Sequence, residues 1–327
     1  QVLQGIKQLD ASIPVVLMTA YASQQSAIDA VNLGAFQYLL KNAKNDEIKM
    51  VVRNAIEMRR VRQQNQQLKR ELKKGHEEKS IIGRSDEMTR VFKMVDKVAD
   101  SEATILIQGD SGTGKELAAE ALHRLGSRSS RRFVALNCGA IPRDLIESVL
   151  FGHVKGAFTG AVADQEGAAA QSNGGTLFLD ELGEMDPNLQ TKLLRFIQTG
   201  TYQRVGEPQL HIADIRFVAA TNRDPLEAVR TGRLREDLYY RLNVVPLHLP
   251  PLRERGEDIL LIAKRFLEQF AEAEHKEFKT FSPDAEAKLL AYSWPGNVRQ
   301  LQNVVRNVVV LHNGKEATAE MLPVLDP

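Results

Sequence analysis

The chain has 327 residues, enough for two or three folding units of ordinary size. Its 43 lysines and arginines nearly cancel its 42 acidic residues, so the summed charge neither advertises nor excludes a nucleic-acid partner, and any such contact must come from a local patch. A single cysteine, Cys138, excludes an internal disulfide, and no apolar N-terminal stretch reads as a signal peptide or membrane span, so a cytoplasmic protein with no membrane partner is expected.

The chain opens in mid-element at Gln1 rather than Met, so an upstream part is expected to have been removed. Residues 14–18 (PVVLM) form a short apolar run ending at Thr19-Ala20, as a buried parallel strand would, and 24–33 reads as a helix ended by Gly34. Ala35 to Leu40 reads as a second strand closed by Lys41, with a helix starting near Asp46. This β-α-β-α order resembles the second half of a phosphoryl-accepting receiver domain, with Thr19 and Lys41 at the strand ends that flank the phosphorylated Asp in that family. The alternative is that the two residues merely end two strands. Asn42 replaces the Pro that commonly follows the Lys, and the segment that would carry the acceptor Asp is absent, so this fragment is not expected to be phosphorylated.

One helical pattern runs from about 47 to 74, with Val51, Asn54, Met58, Val61, Asn65, Leu68 and Leu72 at alternating spacings of 3 and 4. That is a heptad seam, in which Asn65 would fix register and favour a parallel dimer. The alternative is a solvated single helix carrying Arg59, Arg60, Arg62, Lys69, Arg70, Lys73 and Lys74. Gly75 breaks the pattern. Strands and helices then alternate to about residue 250, as in an α/β nucleotide-binding core, and from Glu257 strands stop and helices are expected over 257–274, 283–292 and 296–312.

The strand Thr104 to Gln108 runs into Gly109-Asp110-Ser111-Gly112-Thr113-Gly114-Lys115, and a helix-forming run from Glu116 follows at once. Strand, glycine loop and helix form the context of a P-loop. The glycines let backbone N–H groups turn toward phosphate oxygens, the helix N-terminus adds partial positive charge, and Lys115 reaches the β and γ phosphates. Glu116 stands where the general motif has Ser or Thr, so the usual hydroxyl ligand for magnesium is missing. Downstream, the apolar strand Thr176 to Leu179 ends in Asp180-Glu181, at the kind of strand end where ligands sit in parallel sheets. Asp180 is placed to hold Mg2+ through water and Glu181 to polarise the attacking water. Strand 215–220 ends in Thr221-Asn222, offering an amide near the γ phosphate, and Arg235 and Arg241 lie six residues apart further on. Taken individually, each of these arginines reads as a surface ion pair. Cys138 reads as a small buried residue, and His123, His153 and His211 show no metal-ligand spacing.

Together these residues resemble the AAA+ ATPases, and the run Gly156-Ala157-Phe158-Thr159-Gly160-Ala161 narrows the match to the NtrC-type activators of sigma-54 RNA polymerase, of which it is the hallmark. The resemblance covers residues 80–325. Within that family it is nearest the quorum-sensing regulators, through Glu184-Met185-Asp186, Gln190 to Gln198 and Arg299 to Asn303, although Gln300 stands where many relatives have Glu. The resemblance implies that Ile81, Ile82 and Gly83 begin the adenine pocket, that Asn137 restrains Glu181, that Asn222 is the first sensor, that Arg235 and Arg241 act in trans, and that Arg299 is the lid sensor. It further implies ATP and Mg2+ as cofactors and self-association to a dimer and a ring, usually a hexamer, with ATP between subunits. Phe158 and Thr159 would touch sigma-54, although a buried turn with Phe158 in the core is the alternative the residues alone would favour.

The expected fold is therefore α/β, an AAA+ P-loop parallel-sheet core with a C-terminal helical lid, preceded by a partial receiver-like segment and a long linker helix. The expected domains are 1–46 (receiver-like), 47–79 (linker), 80–250 (ATPase core) and 251–327 (lid). The expected function is ATP hydrolysis coupled to remodelling of the sigma-54 holoenzyme in a two-component or quorum-sensing response. Enhancer DNA would be reached only through a helix-turn-helix domain that this chain, stopping at Pro327, lacks. Two other classes share the pocket: a protein unfoldase, which lacks the GAFTGA run, and a nucleotide-gated scaffold with little turnover, which would not need Glu181 and both arginines.

Overall fold

A computed structural model describes residues 14–19, 35–46, 48–58, 60 and 81–324. The chain divides into two compact units, Gln1–Lys79 and Ser80–Pro327. The expected helix over 24–33, and the seam positions Val61, Asn65, Leu68 and Leu72, lie outside the described residues.

In the first unit, β1 (Val16–Thr19) and β2 (Gln37–Leu40) pair in parallel. The Lys41 N–H donates to the Thr19 carbonyl at 2.7 Å, so the two strand ends named from sequence are neighbours. Helical residues 48–58 follow. Val51 and Ala55, four apart and thus on one helix face, are each only 5% exposed, whereas Asn54 and Met58 are exposed. Val51 is thereby committed to packing within a single chain, which removes it from the heptad seam in which the spacing places it.

The second unit is built on five parallel strands: β3 (Ile105–Gln108), β4 (Phe133–Asn137), β5 (Thr176–Asp180), β6 (Arg216–Thr221) and β7 (Val245–His248). Their order across the sheet is β7-β3-β6-β5-β4. Successive side chains in a strand point to opposite faces, and both faces here are buried, which explains the continuous apolar runs. Ile105, Ile107, Phe178, Val218 and Ala220 join one core with α1 (Asp86–Val98) and α2 (Lys115–Leu125). Leu106, Leu177, Leu179, Phe217 and Ala219 join the core on the other face with α3 (Ile146–Phe151) and α4 (Pro187–Thr199). Because all five strands run the same way, their C-terminal ends share one edge of the sheet, where open α/β folds hold their ligands.

Two buried polar residues lock the first face. The Arg216 guanidinium, on β6, donates to the carbonyls of Val98 (2.9 Å) and Leu122 (3.3 Å) and to that of Ala99, at the ends of α1 and α2. A cation at two helix C-termini meets orphan carbonyls and the negative end of each helix dipole. His123 bonds the Thr176 hydroxyl at 2.9 Å and the Arg131 carbonyl at 3.2 Å, and burial pushes its pKa down.

The C-terminal part consists of α6 (Asp258–Ala273), α7 (Pro283–Ala291) and α8 (Asn297–Leu311), following the short α5 (Glu236–Leu242) of the core region. They close around a separate core that includes Ile259, Ala263, Leu267, Leu289, Leu301, Val305 and the fully buried Trp294, whose indole N–H donates to the Leu289 carbonyl at 2.8 Å. The sequence pattern ends strands at 257; the structure corrects this with a two-residue parallel pairing of Thr280–Phe281 with Glu316–Ala317. Two residues are too short a run for alternation to register. Among the described residues no helix is long and apolar enough to cross a membrane.

Candidate functional site: a phosphate cradle at the sheet edge

The loop 109–114 leaves the end of β3 and turns into α2. Gly112 and Gly114 have φ of 78° and 101°, the left-handed region that glycine enters without strain. Gly114 is the N-cap of α2, and a Cβ built on it would meet only Leu117, at 3.9 Å, so the mouth of the loop is open. The Gly109 N–H donates to the Thr221 carbonyl at 3.3 Å, tying the loop to the end of β6. Lys115 is buried, and its Nζ donates to the carbonyls of Gly109 (2.9 Å) and Asp110 (3.1 Å). Burial lowers its pKa; Asp180, Glu181 and Asp110 oppose that fall, and Arg299 reinforces it. The lysine thus stands in the field of both carboxylates at the end of β5. Asp110 also pairs with Arg253 at 3.4 Å, whereas Glu116 is exposed in the first turn of α2.

Asp180 accepts from the Glu181 N–H at 3.0 Å, and the same N–H donates to the Ala220 carbonyl of β6 at 3.1 Å. Glu181 has φ of 57°, strained for a residue with a Cβ, and this turns its side chain away from the strand direction. Its neighbour across the strand ends is Asn137, whose register partner is Asp180. The Asn137 side-chain oxygen accepts from the N–H groups of Gly139 (2.9 Å) and Ala140 (3.0 Å), which leaves its NH2 as the group available to Glu181. Asn222 is exposed and borders the cavity that Glu181 also lines, beside the Arg223–Glu184 ion pair of 2.7 Å. Cys138 is buried, its N–H donating to the Asp180 carbonyl at 2.9 Å, and burial first, then the carboxylates of Asp180 and Glu181, push its thiol pKa up to about 12.

The other residues singled out from sequence take several positions. Arg235 caps α5 and pairs with Asp237 at 2.8 Å, and Arg241, at the other end of that helix, reaches the Ile197 carbonyl at 3.5 Å; both are exposed and neither bonds to the cradle of its own chain. Arg299 extends from α8 to the Ser111 hydroxyl at 3.5 Å. Ile81 packs against the core shared by α1 and α2, while Ile82 packs against the helical C-terminal core, so the segment bridges the two. A Cβ at Gly83 would sit 2.9 Å from Asp258, which accepts from the N–H groups of Arg84 (2.6 Å) and Ser85 (3.2 Å) and from the Ser85 hydroxyl (2.6 Å).

The 156–161 turn stands apart from this edge. Gly156 and Gly160 have φ of 83° and 109° with open space around them, and the Gly156 N–H donates to the Ala161 carbonyl at 2.8 Å. Its base leans on the hairpin of Thr201–Gln203 and Leu210–Ile212: the Val154 N–H donates to the Val205 carbonyl and the Val205 N–H to the Gly152 carbonyl. Phe158 is half-buried rather than fully displayed, with its ring edge-on to His153 at 4.9 Å, and His153 is itself held by Ser148 at 2.7 Å. Gly156, Thr159 and Gly160 are exposed, as is Val162 just beyond the turn at 82%, and Ala161 is buried. The loop is therefore neither a core turn nor a bare aromatic tip.

Three residues escaped sequence reasoning. Gly139 lies against the Glu181 carboxylate; Asn297 and Arg255 bond the backbone of the phosphate loop. Asn297 lies two residues before Arg299, and the Gly296-Asn297 pair at a helix start is a signal for it; Arg255 carries none that distinguishes it from a surface arginine.

The donor set suits a nucleoside polyphosphate: a glycine loop with outward N–H groups, a helix N-terminus, a buried lysine and, facing it, the Asp180 carboxylate suited to a hard cation. Among the described residues no cluster of three His, Cys, Asp or Glu is preformed for a metal, so a cation here would depend on the phosphates as well. Fold and site define a P-loop ATPase of the AAA+ type. Residues 81–248 match the Sigma-54 interaction domain and residues 253–325 the AAA+ ATPase lid domain, and the chain belongs to this family of sigma-54-dependent activators.

Among individual proteins, the chain is 52% identical over 324 residues to the regulatory protein LuxO of Vibrio vulnificus (strain YJ016), covering 98% of this chain and 70% of that one. It is 45% identical over 322 residues to the transcriptional regulatory protein ZraR of Salmonella typhimurium, covering 98% and 72%. Among solved structures, NtrX from Brucella abortus in complex with ADP superposes with a TM-score of 0.74 at 33% identity, covering 98% of this chain and 70% of that one. NtrX has also been crystallised in complex with ATP.

Proposed function

We propose that the chain is the motor of a sigma-54-dependent activator in a two-component or quorum-sensing response, hydrolysing ATP between subunits of a ring and using the 156–161 loop to remodel the polymerase holoenzyme. The observation that carries this reading is geometric: the Gly109 N–H of the phosphate loop bonds the Thr221 carbonyl and the Glu181 N–H bonds the Ala220 carbonyl, so loop and acidic strand end both adjoin the end of β6. The similarity to LuxO and ZraR supports the signalling context, and the ADP and ATP complexes of NtrX support the nucleotide.

In this scheme Gly109 to Lys115 grip the phosphates, Ile81 to Gly83 flank the base, and Glu181 orients and deprotonates water with Asn137 restraining it. Bound magnesium would supply charge neutralisation on the phosphate oxygens, and Asp180 is the side chain that would hold it, Glu116 offering no hydroxyl. Asn222 senses the γ phosphate. Arg235 and Arg241 reach the neighbouring subunit's nucleotide, which agrees with their exposure and their lack of bonds to their own cradle. Arg299 joins the lid to the loop. Thr159, with Phe158 rocking against His153, engages sigma-54. The receiver-like part (1–46) and linker (47–79) would supply regulation and dimerisation, with ring assembly in the 80–250 core and 251–327 lid. Enhancer DNA would be bound by a separate helix-turn-helix domain.

The test pairs phosphate release with capture of sigma-54 in the presence of a transition-state analogue of ATP hydrolysis. The parent should release phosphate and retain sigma-54; Thr159→Ala should keep phosphate release and lose capture. If Thr159→Ala captures sigma-54 as well as the parent does, the loop assignment is wrong, and if the parent releases no phosphate the motor assignment is wrong.

A further inference from the structure

Three consecutive carbonyls of the phosphate loop accept hydrogen bonds from the region after β7. The Asn297 side-chain NH2 donates to the Ser111 carbonyl at 2.9 Å, the Val298 N–H to the Gly112 carbonyl at 3.0 Å, and an Arg255 Nη2 to the Thr113 carbonyl at 2.7 Å. A peptide unit is planar and trans, so its C=O and the following N–H point in opposite directions. Fixing the carbonyls of 111, 112 and 113 from behind therefore fixes the aim of the N–H groups of 112, 113 and 114. Of these, only the N–H of Thr113 has a partner within the loop, the Asp110 carbonyl, at a long 3.4 Å.

The two side chains are themselves held. Asn297 is fully buried at φ of 51°, a left-handed conformation that Asn tolerates better than most residues, and its side-chain oxygen accepts from the Leu252 N–H at 2.8 Å. Arg255 is buried, with Nε and Nη2 also donating to the Pro250 carbonyl at 3.1 and 2.9 Å. Among the described residues no carboxylate bonds it, although the charge of Asp258 partly offsets its burial. Burying a cation with only carbonyls for hydrogen-bond partners is expensive and would be replaceable by an apolar residue if filling space were its task. The loop also fits the lid closely, since a Cβ at Gly112 would come within 2.5 Å of the Gly296 carbonyl.

We propose that Asn297 and Arg255 are positioning residues that brace the phosphate cradle, so that nucleotide affinity depends on the lid being seated against residues 111–113. The inference rests on the reading of 109–115 as the nucleotide site. It makes lid seating and nucleotide binding reciprocal: whatever displaces the lid loosens the N–H groups, and nucleotide in the cradle firms the lid.

The test uses the full chain, with ADP affinity measured by calorimetry, ATP turnover at saturation, and melting without nucleotide. Asn297→Gly keeps the backbone conformation and removes both amide bonds; it should weaken ADP binding about tenfold and raise the KM for ATP similarly, with kcat within about threefold of the parent. Arg255→Lys keeps the cation but loses the planar fork and should fall between the two. A purely structural role would lower the melting temperature and leave the affinity of the folded protein unchanged. Asn297→Asp, which keeps the acceptor for Leu252 and replaces the donor to Ser111 with an oxygen, answers the question if the glycine variant does not fold. Affinity within twofold of the parent in whichever Asn297 variant folds overturns the brace, whereas a parent that binds no ADP overturns the nucleotide site together with it.

Discussion

Gly139 lies directly beneath the carboxylate of Glu181: a Cβ at position 139 would fall on Glu181 Oε2 and come within 3.5 Å of the Asn137 side-chain oxygen. The absence of a side chain at 139 is thus a condition for the position of the group proposed to activate water. Because the atom displaced is the end of a flexible side chain rather than backbone, Gly139→Ala should barely change the melting temperature. The shifted carboxylate should still lower kcat about tenfold to a hundredfold, since misplacement by about 1 Å can cost a hundredfold. Steady-state phosphate release with ADP affinity as the control checks this; an unchanged kcat would remove Gly139 from the site.

Glu181→Gln keeps the shape of the side chain and removes its basicity. ATP binding should persist and turnover should drop about a hundredfold or more, in line with loss of a general base. Single-turnover phosphate release on nucleotide-loaded protein separates the two. Lys115→Ala should act earlier, weakening binding itself, because it deletes the buried cation of the cradle.

Cys138 should be inert while the protein is folded. Its thiol is held up to about 12, so between pH 7 and 9 the thiolate that alkylating reagents require is almost absent, and reactivity should begin only as pH rises toward that value. In denaturant the thiol returns to its ordinary range and should react within minutes at pH 8.5. Iodoacetamide labelling followed by intact mass gives the comparison, and rapid native labelling at pH 8 would contradict the burial.

Replacing Arg216 with Leu should destabilise the α/β core by about 3 kcal/mol. The carbonyls of Ala99 and Leu122 would lose the guanidinium donor in a dry environment while that of Val98 keeps the Ser101 N–H, and unsatisfied buried groups cost about 1–3 kcal/mol each before relaxation. The readout is the urea midpoint followed by circular dichroism; a midpoint equal to the parent's would show that water replaces the guanidinium.

Much of the site was legible because its chemistry is local. A phosphate cradle needs glycines at left-handed positions between a buried strand and a helix start, and those requirements fall on consecutive residues, Gly109 to Lys115. Asp180 and Glu181 were legible for the same reason, as charges ending an apolar run. The three helices after Glu257 followed from periodicity, while the pairing of Thr280–Phe281 with Glu316–Ala317 did not, being two residues on each side.

What only the tertiary structure decided involves partners far apart in the chain. Nothing near Asn297 announces that its amide holds Ser111, which lies 186 residues earlier, and the spacing that drew Val51 into a heptad seam could not reveal that this side chain is buried within a single chain. The same holds for Phe158, whose ring packs edge-on to a His153 that Ser148 and the backbone at Val205 hold. Sequence by itself determined the longer elements and the family and pointed to a nucleotide, since backbone conformation and apolar periodicity are written along the chain. Which carbonyl meets which donor depends on how those elements are stacked, and that is settled by packing across the sheet and lid rather than by any neighbouring residue.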